Sequence, residues 1–538
     1  MKSKILFSSI GAVILSLYYW FWGQAKLYAD LQIPLFSPEN KGKTVLLFIF
    51  AIFFLTLIWI ANDADNDNTQ LSADKLKAQA IAIPSRFKTN ELEGFIIGKQ
   101  GKKYIRLPIE TDPRHGLIFG RPGAGKTVMI ISWIIWILNY ISQHRPLALL
   151  VSDIKPELSK KSVYEGLPNV AVINLAVFGR YCFNIFFGLT QTSSDDRLIL
   201  RLDIIVRAMI IDPPDSETPY FTDNARNILI GVFGWGYRKS MKFSQIIDKF
   251  LHTPTLDLIA EILSDEEFYT NHPKLTAYLI PFNLDQSNEA FQSVVTTIMQ
   301  TIHIFDFDTV KACFDCEDAT HTVSPEDLIK GTSIFIQCLD SMKDKFMPAI
   351  RLIFSLCFNY ILGLNDAKED NRGKIVALID EAATVKVPDI QHYMDTGRSK
   401  GLEIFQIYQN FSQIITAYGQ SRAKGIMENA GTVIVQSCKD PDTAKMLSDW
   451  IGHYRETKYS TSKRSSTDTS TSESSEYRLI YDISDITKLE SQGKMLVFHE
   501  GTYFPVQKIG YYQIPDFLEI SKEAMEKNKE IYDNLKEL

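Results

Sequence analysis

The chain has 538 residues, 45% of them hydrophobic and 22% charged, so it is long enough for about three domains and too apolar for wholesale disorder. With 57 Lys and Arg against 64 Asp and Glu the formal net charge is -7, which excludes a globally basic coat for nucleic acid and confines any such contact to a local patch or channel. Six cysteines over this length do not make a disulfide framework, and a reducing, cytosolic main body is expected.

Two apolar stretches lead the chain, residues 5–22 and 44–61, each without a charge. At about 1.5 Å per helical residue each is long enough to cross a bilayer. Tyr and Trp residues at the end of the first, and Trp59 in the second, suit the headgroup level. Lys2 and Lys4 would also fit a cleaved signal peptide, but the first stretch ends in bulky aromatics and a second span follows it. Those lysines favour a cytoplasmic N-terminus, whereas Lys26, Lys41 and Lys43 weaken the charge asymmetry. Residues 1–64 are therefore read as a membrane anchor with two transmembrane helices, and the main body as cytoplasmic.

Next comes Gly120-Arg121-Pro122-Gly123-Ala124-Gly125-Lys126-Thr127, a full G-x-x-x-x-G-K-[ST] between an apolar run and a helical pattern. This is the strand–loop–helix context of a phosphate-binding loop. Its glycines let backbone N–H groups surround phosphates, Lys126 is expected to bridge the β- and γ-phosphates, and Thr127 to ligate Mg²⁺. Such a loop requires an acidic strand end. Residues 374–381 read K-I-V-A-L-I-D-E, as in a buried parallel strand, and supply Asp380 for the Mg²⁺ shell and Glu381 to polarise the attacking water. Short apolar runs at 147–151, 170–174, 333–338, 403–408 and 432–436 complete the alternation of an α/β nucleotide-binding fold.

With these motifs, the segment ALLVSDIKPE at 148–157, GRSKGL at 397–402, the strand ending at Tyr408-Gln409, AGTVIV at 430–435 and DPDTAKML at 440–447, the chain resembles the TraG/TraD-like type IV secretion coupling proteins. That family belongs with the FtsK/HerA-like translocating ATPases. The resemblance implies a RecA-like P-loop domain, divided into residues 65–192 and 328–515, with an all-α domain inserted at 193–327. Helical patterns at 197–211 and 221–232 suit that insertion. It further implies ATP and Mg²⁺ as cofactors and a homo-hexamer in the bacterial inner membrane. The implied partners are secretion-channel components and a relaxase–DNA complex or protein effectors. Gln409 is the expected γ-phosphate reporter or water-orienting amide. Arg398 is the candidate arginine finger and Arg422 a second candidate; an exposed helix-end arginine is the plain alternative for both.

The remaining motifs carry less. Cys313 and Cys316, with His303 and His321 nearby, have the spacing of a metal half-site but lack a second pair. His499-Glu500 lacks the second imidazole of a zinc protease, and an ABC exporter is disfavoured by two spans and no Ser-Gly-Gly signature. Within the loop at 456–476, residues 460–475 hold 12 Ser or Thr in 16 positions, expected as a flexible loop or an extended hairpin. Residues 516–538 alternate charge at helical spacing and read as a solvated or adaptor-binding tail. The favoured function is an ATPase coupling substrate, above all conjugative DNA, to a type IV secretion channel. The alternatives are a receptor for protein effectors and a docking platform that binds nucleotide only to assemble.

Overall fold

The computed structural model describes residues 81–108, 115–141, 147–164, 166–214, 219–283, 289–465 and 468–537. The two expected membrane spans, and the whole anchor 1–64, lie outside the described residues.

In chain order the strands are β1 (Lys88–Thr89), β2 (Phe95–Gln100), β3 (Lys103–Leu107), β4 (Gly116–Phe119), β5 (Ala148–Asp153) and β6 (Val170–Asn174). There follow β7 (Cys182–Phe183), β8 (Thr322–Val323), β9 (Ser333–Gln337), β10 (Ile375–Ile379), β11 (Leu402–Tyr408) and β12 (Thr432–Val435). The last four are β13 (His453–Ser465), β14 (Asp468–Leu479), β15 (Lys494–His499) and β16 (Thr502–Gln507). Twelve of them form one sheet in the order β1-β3-β2-β16-β15-β12-β4-β11-β10-β5-β9-β6. From β12 to β6 every pairing is parallel. From β12 to β1 every pairing is antiparallel.

The parallel strands are buried on both faces, which is why they read as unbroken apolar runs. Successive side chains still divide between two cores. Leu117, Leu150, Ala377 and Ile404 join the core shared with the helical insertion, while Ile118, Leu149, Leu378 and Phe405 join the core under the helix Lys126–Ile141. In that second core the fully buried Trp133 stacks on Phe95 at 4.8 Å, meets Phe405 edge-on at 5.1 Å and donates its indole N–H to the Ile96 carbonyl at 2.8 Å.

Between β7 and β8 every regular element of the described chain is a helix. The two strands pair in parallel at the neck of this insertion, Cys182 beside Thr322. The neck carries a disulfide between Cys182 and Cys316, 134 residues apart. One bridge is not a disulfide framework, and the other four cysteines are free and buried; the pairing depends on which loops the insertion brings together and not on spacing along the chain. Insertion and sheet are further joined by Arg351, buried on the helix Lys343–Leu362. It donates to the Ala208 and Met209 carbonyls at 3.0 and 3.3 Å, where the helix Asp195–Met209 leaves carbonyls unsatisfied. Among the described residues one helix, Asp340–Leu362, is long and apolar enough to cross a membrane, and 78% of its apolar window is buried inside the protein.

β13 and β14 pair with each other from His453↔Leu479 to Ser465↔Asp468, a ribbon outside the main sheet. The charged tail departs from its reading as a solvated helix. Phe517, Ser521 and Ala524 of the helix Pro515–Lys527 are buried against the Lys126–Ile141 helix and its neighbours. Tyr532 is buried further on, its hydroxyl 3.0 Å from Ser159 Oγ and accepting from Gln337 Nε2 at 3.0 Å. The charge alternation marks only the outer face.

Candidate nucleotide-binding site

The phosphate loop leaves β4 with Gly120 N–H donating to the Tyr408 carbonyl at 3.1 Å, and it ends where the helix Lys126–Ile141 begins. Gly123 and Gly125 have φ of 80° and 102°, a region that side chains with a Cβ rarely enter. A Cβ built on Gly123 meets nothing within 4 Å, so the loop backbone fronts open space. The loop is tethered from behind. Arg121 N–H donates to Ser437 Oγ at 2.9 Å, the Arg121 guanidinium pairs with Glu490 at 2.8 Å, and Lys508 Nζ donates to the Ala124 carbonyl at 2.8 Å. Lys126 Nζ donates to the Gly120 and Arg121 carbonyls, and burial lowers its pKa against the opposing pull of Asp380 and Glu381.

Residues 121–127 line a cavity of about 530 Å³ together with Asp380, Glu381, Gln409, Lys155, Lys161 and Lys343. The sheet order explains the convergence, because β11 lies between β4 and β10 and so sets Gln409 between the phosphate loop and the acidic pair. Burial, reinforced by the neighbouring charges of Asp153 and Glu381, pushes the Asp380 carboxyl up to about 7. Asp153 is itself fully buried and accepts from the Leu158 and Ser159 N–H groups at 3.1 and 2.7 Å. Glu381 behaves oppositely. Burial would raise its pKa, but Lys343 and Lys155 outweigh burial and lower it. The cavity has the size of a small-molecule site, and glycine amides at a helix N-terminus, clustered lysines and a buried carboxylate suit a polyphosphate with a divalent cation.

Arg398 is not brought to this cavity. It caps the helix Ile390–Gly397 in the turn before β11, at the opposite end of a seven-residue strand, about 20 Å from Tyr408. Arg422 lines a different cleft of about 340 Å³ with Lys386 and Arg207. Cys313 is buried and donates to the Asn174 carbonyl at 3.2 Å while Cys316 pairs with Cys182, and among the described residues no cluster of three or more His, Cys, Asp or Glu could hold a metal. Lys155 and Lys343 carry no motif that singles them out. The signal available for Lys155 was its place two residues beyond the strand-end Asp153 in the quoted ALLVSDIKPE segment; Lys343 had none.

A family model for type IV secretory system conjugative DNA transfer matches residues 67–534. The chain belongs to this family. A type IV secretion system-coupling protein VirD4 of Bartonella quintana (strain Toulouse) is 21% identical over 245 residues, a match spanning 44% of this chain and 37% of that relative. The conjugative coupling protein TrwB, solved without its first 70 residues and unbound, superposes with a TM-score of 0.57 at 16% identity, covering 82% of this chain and 91% of that one. TrwB has also been solved with the ATP analogue ADPNP, at a TM-score of 0.57 and 15% identity, and with ADP and Mg²⁺, at 0.56 and 15%; each covers 82% of this chain and 92% of TrwB. At such identities the likeness speaks for the fold, a mixed α/β architecture on a large parallel sheet.

Proposed function

We propose that this coupling-family chain is a membrane-anchored ATPase that drives conjugative DNA, with its bound relaxase, into a type IV secretion channel as a homo-hexamer. The observation that carries the reading is the convergence of Lys126, Thr127, Asp380, Glu381 and Gln409 on one cavity from the ends of the adjacent strands β4, β11 and β10. The loop amides and Lys126 would receive the β- and γ-phosphates, and Thr127 and Asp380 would hold Mg²⁺. When bound, that ion neutralises charge on the phosphate oxygens. Water forms a bond to the γ-phosphorus, the bond to the bridging oxygen breaks with its electron pair passing to the β-phosphate, and the proton lost by water goes to Glu381, with Gln409 orienting the water. Arg398, remote from the cavity of its own subunit, acts on the site of the next.

Two spans in residues 1–64 confine the subunits to the inner membrane with the ATPase body in the cytoplasm. The test is phosphate release and conjugative transfer by the full-length protein against Lys126→Ala. Loss of both in the variant supports a motor. Retained transfer without hydrolysis would leave a nucleotide-assembled platform, and crosslinking during transfer, by trapping DNA or a protein effector, decides the substrate.

A further inference from the structure

We propose that Lys155 and Lys343 are positioning residues that hold the Glu381 carboxylate between them for its part in ATP hydrolysis. This inference rests on the function proposed above.

The parallel order β4, β11, β10, β5, β9 places five strand ends in a row, and the chemistry of the cavity follows that row. The first three ends supply the phosphate loop, Gln409 and the Asp380-Glu381 pair. The next two supply one lysine each, Lys155 from the turn after β5 and Lys343 from the start of the helix after β9. Both reach back to the same carboxylate. Lys155 Nζ lies 3.1 Å from Glu381 Oε1 and Lys343 Nζ lies 2.7 Å from Glu381 Oε2, so each oxygen has its own ammonium. A carboxylate gripped at both oxygens cannot spin about its terminal torsion without breaking a contact.

The surroundings are built to present this grip. Glu381 has φ of 49°, a left-handed conformation that is costly for a residue with a Cβ and that caps the short helix Ala382–Val385. That turn separates Glu381 from its neighbour, whose Oδ1 accepts the Glu381 N–H at 3.0 Å. The turn carrying Lys155 is fixed by the Asp153 carboxylate, which accepts from two N–H groups of the following helix. Asp340 lies 4.0 Å from Lys155 and 3.7 Å from Lys343, a shared counter-charge behind both ammonium groups.

Stability does not account for the arrangement. The Lys155 and Lys343 side chains are 41% and 30% exposed, and ion pairs as exposed as these contribute about 0–1 kcal/mol each. What the pair does supply is orientation of the Glu381 carboxylate, the group proposed above to take the proton of the attacking water.

The experiment measures kcat, affinity for a fluorescent non-hydrolysable ATP analogue and thermal midpoint in full-length protein. The variants are Lys155→Met, Lys343→Met, their arginine counterparts, Glu381→Gln, and each lysine-to-methionine change combined with Glu381→Gln. Each methionine variant should lower kcat about tenfold or more, up to the full contribution of about 10²–10⁴ of a general acid–base group, with analogue affinity within about twofold of wild type. Arginine, which can also grip a carboxylate, should restore part of the rate. In the Glu381→Gln background the lysine changes should cost nothing further, since groups acting as one unit are not additive. Unchanged kcat, a parallel loss of analogue affinity, or a full additional loss on top of Glu381→Gln would overturn the proposal, the last two by assigning the lysines to the phosphates themselves. A methionine variant with a lowered thermal midpoint is judged by its arginine counterpart, whose rate must then recover with its stability unchanged. A wild-type protein that binds the analogue but releases no phosphate overturns the motor reading and the positioning role with it.

Discussion

The parallel strands begin and end in opposite chemistry. At their C-terminal ends, glycines with positive φ, a left-handed Glu381 and a group of lysines surround an open cavity. At their N-terminal ends polar groups tie one element to the next. His115, fully buried before β4, accepts the Ile404 N–H on Nδ1 at 3.1 Å, which leaves the proton on Nε2 to donate to the Met394 carbonyl at 2.8 Å. Ser399 Oγ closes the neighbouring turn on Asp366 at 2.8 Å. One end of the sheet keeps its charges available, and the other uses its polar groups to fix strand against strand. The difference teaches that charge crowded round an open cavity marks where this fold acts and polar groups spent between elements mark where it holds, whereas positive φ occurs at both ends, at Gly123 and Glu381 on one and at Asn371 and Gly401 on the other.

The largest expected effect comes at the open end. Lys126→Ala should remove detectable phosphate release while leaving the thermal midpoint near that of wild type, because the ammonium is bonded only to loop carbonyls. Next is the residue that would breach the division. Arg398→Ala should lower oligomer turnover by about 10³–10⁵, or roughly 4–7 kcal/mol, without weakening nucleotide binding, if the closed end of one subunit meets the open end of the next. Mixing Lys126→Ala with Arg398→Ala subunits should restore part of the activity. Normal turnover by the Arg398→Ala oligomer would instead confine Arg398 to the holding end.

The apolar strand runs, the phosphate loop, the acidic pair and Gln409 could be read from sequence because each is local. A strand buried on both faces must be apolar throughout, and a loop that wraps phosphate needs its glycines and lysine in one short stretch. What could not be read depends on which strands become neighbours. Lys155 and Lys343 meet Glu381 only because β5 and β9 follow β10 across the sheet. The antiparallel wing escaped notice for a different reason. β3, K-Y-I-R-L, is short and half polar, since one of its faces is open. Arg398 lies only four residues before β11 begins, yet the strand that follows carries its other end, and Gln409, to the far end of the sheet. Cys182 and Cys316, and Tyr532 with Ser159, are joined across spacings that no periodicity reports.

Two smaller effects test the frame common to both ends. Trp133→Ala should cost about 3–5 kcal/mol in urea unfolding, because it empties the space between the phosphate-loop helix, Phe95 and Phe405 and deprives the Ile96 carbonyl of its donor. Trp133→Phe should recover most of the packing but not the hydrogen bond. The smallest effect belongs to His115, whose pKa burial lowers from 6.5 to about 4. Between those values the unfolded chain binds the proton and the native state does not. The stability that neutral His115 contributes is therefore present above pH 6.5 and lost as the pH falls towards 4, by about 3 kcal/mol. His115→Gln should flatten that slope in unfolding experiments run across this interval, and an unaltered slope would remove His115 as its source.

The contact between Ser159 and Tyr532 has a consequence in time. The two residues are 373 positions apart, so at roughly 5–20 residues per second a ribosome needs about 20–75 s to make Tyr532 after it has made Ser159. Gln337 joins Asp153 and Ser159 part-way through that interval, and from then until Tyr532 is made the group beside the nucleotide cavity lacks the hydroxyl that completes it. A nascent chain thus carries its phosphate loop long before the polar network behind the acidic pair is finished, and the order of synthesis delays a complete site until the chain beyond β16 has docked.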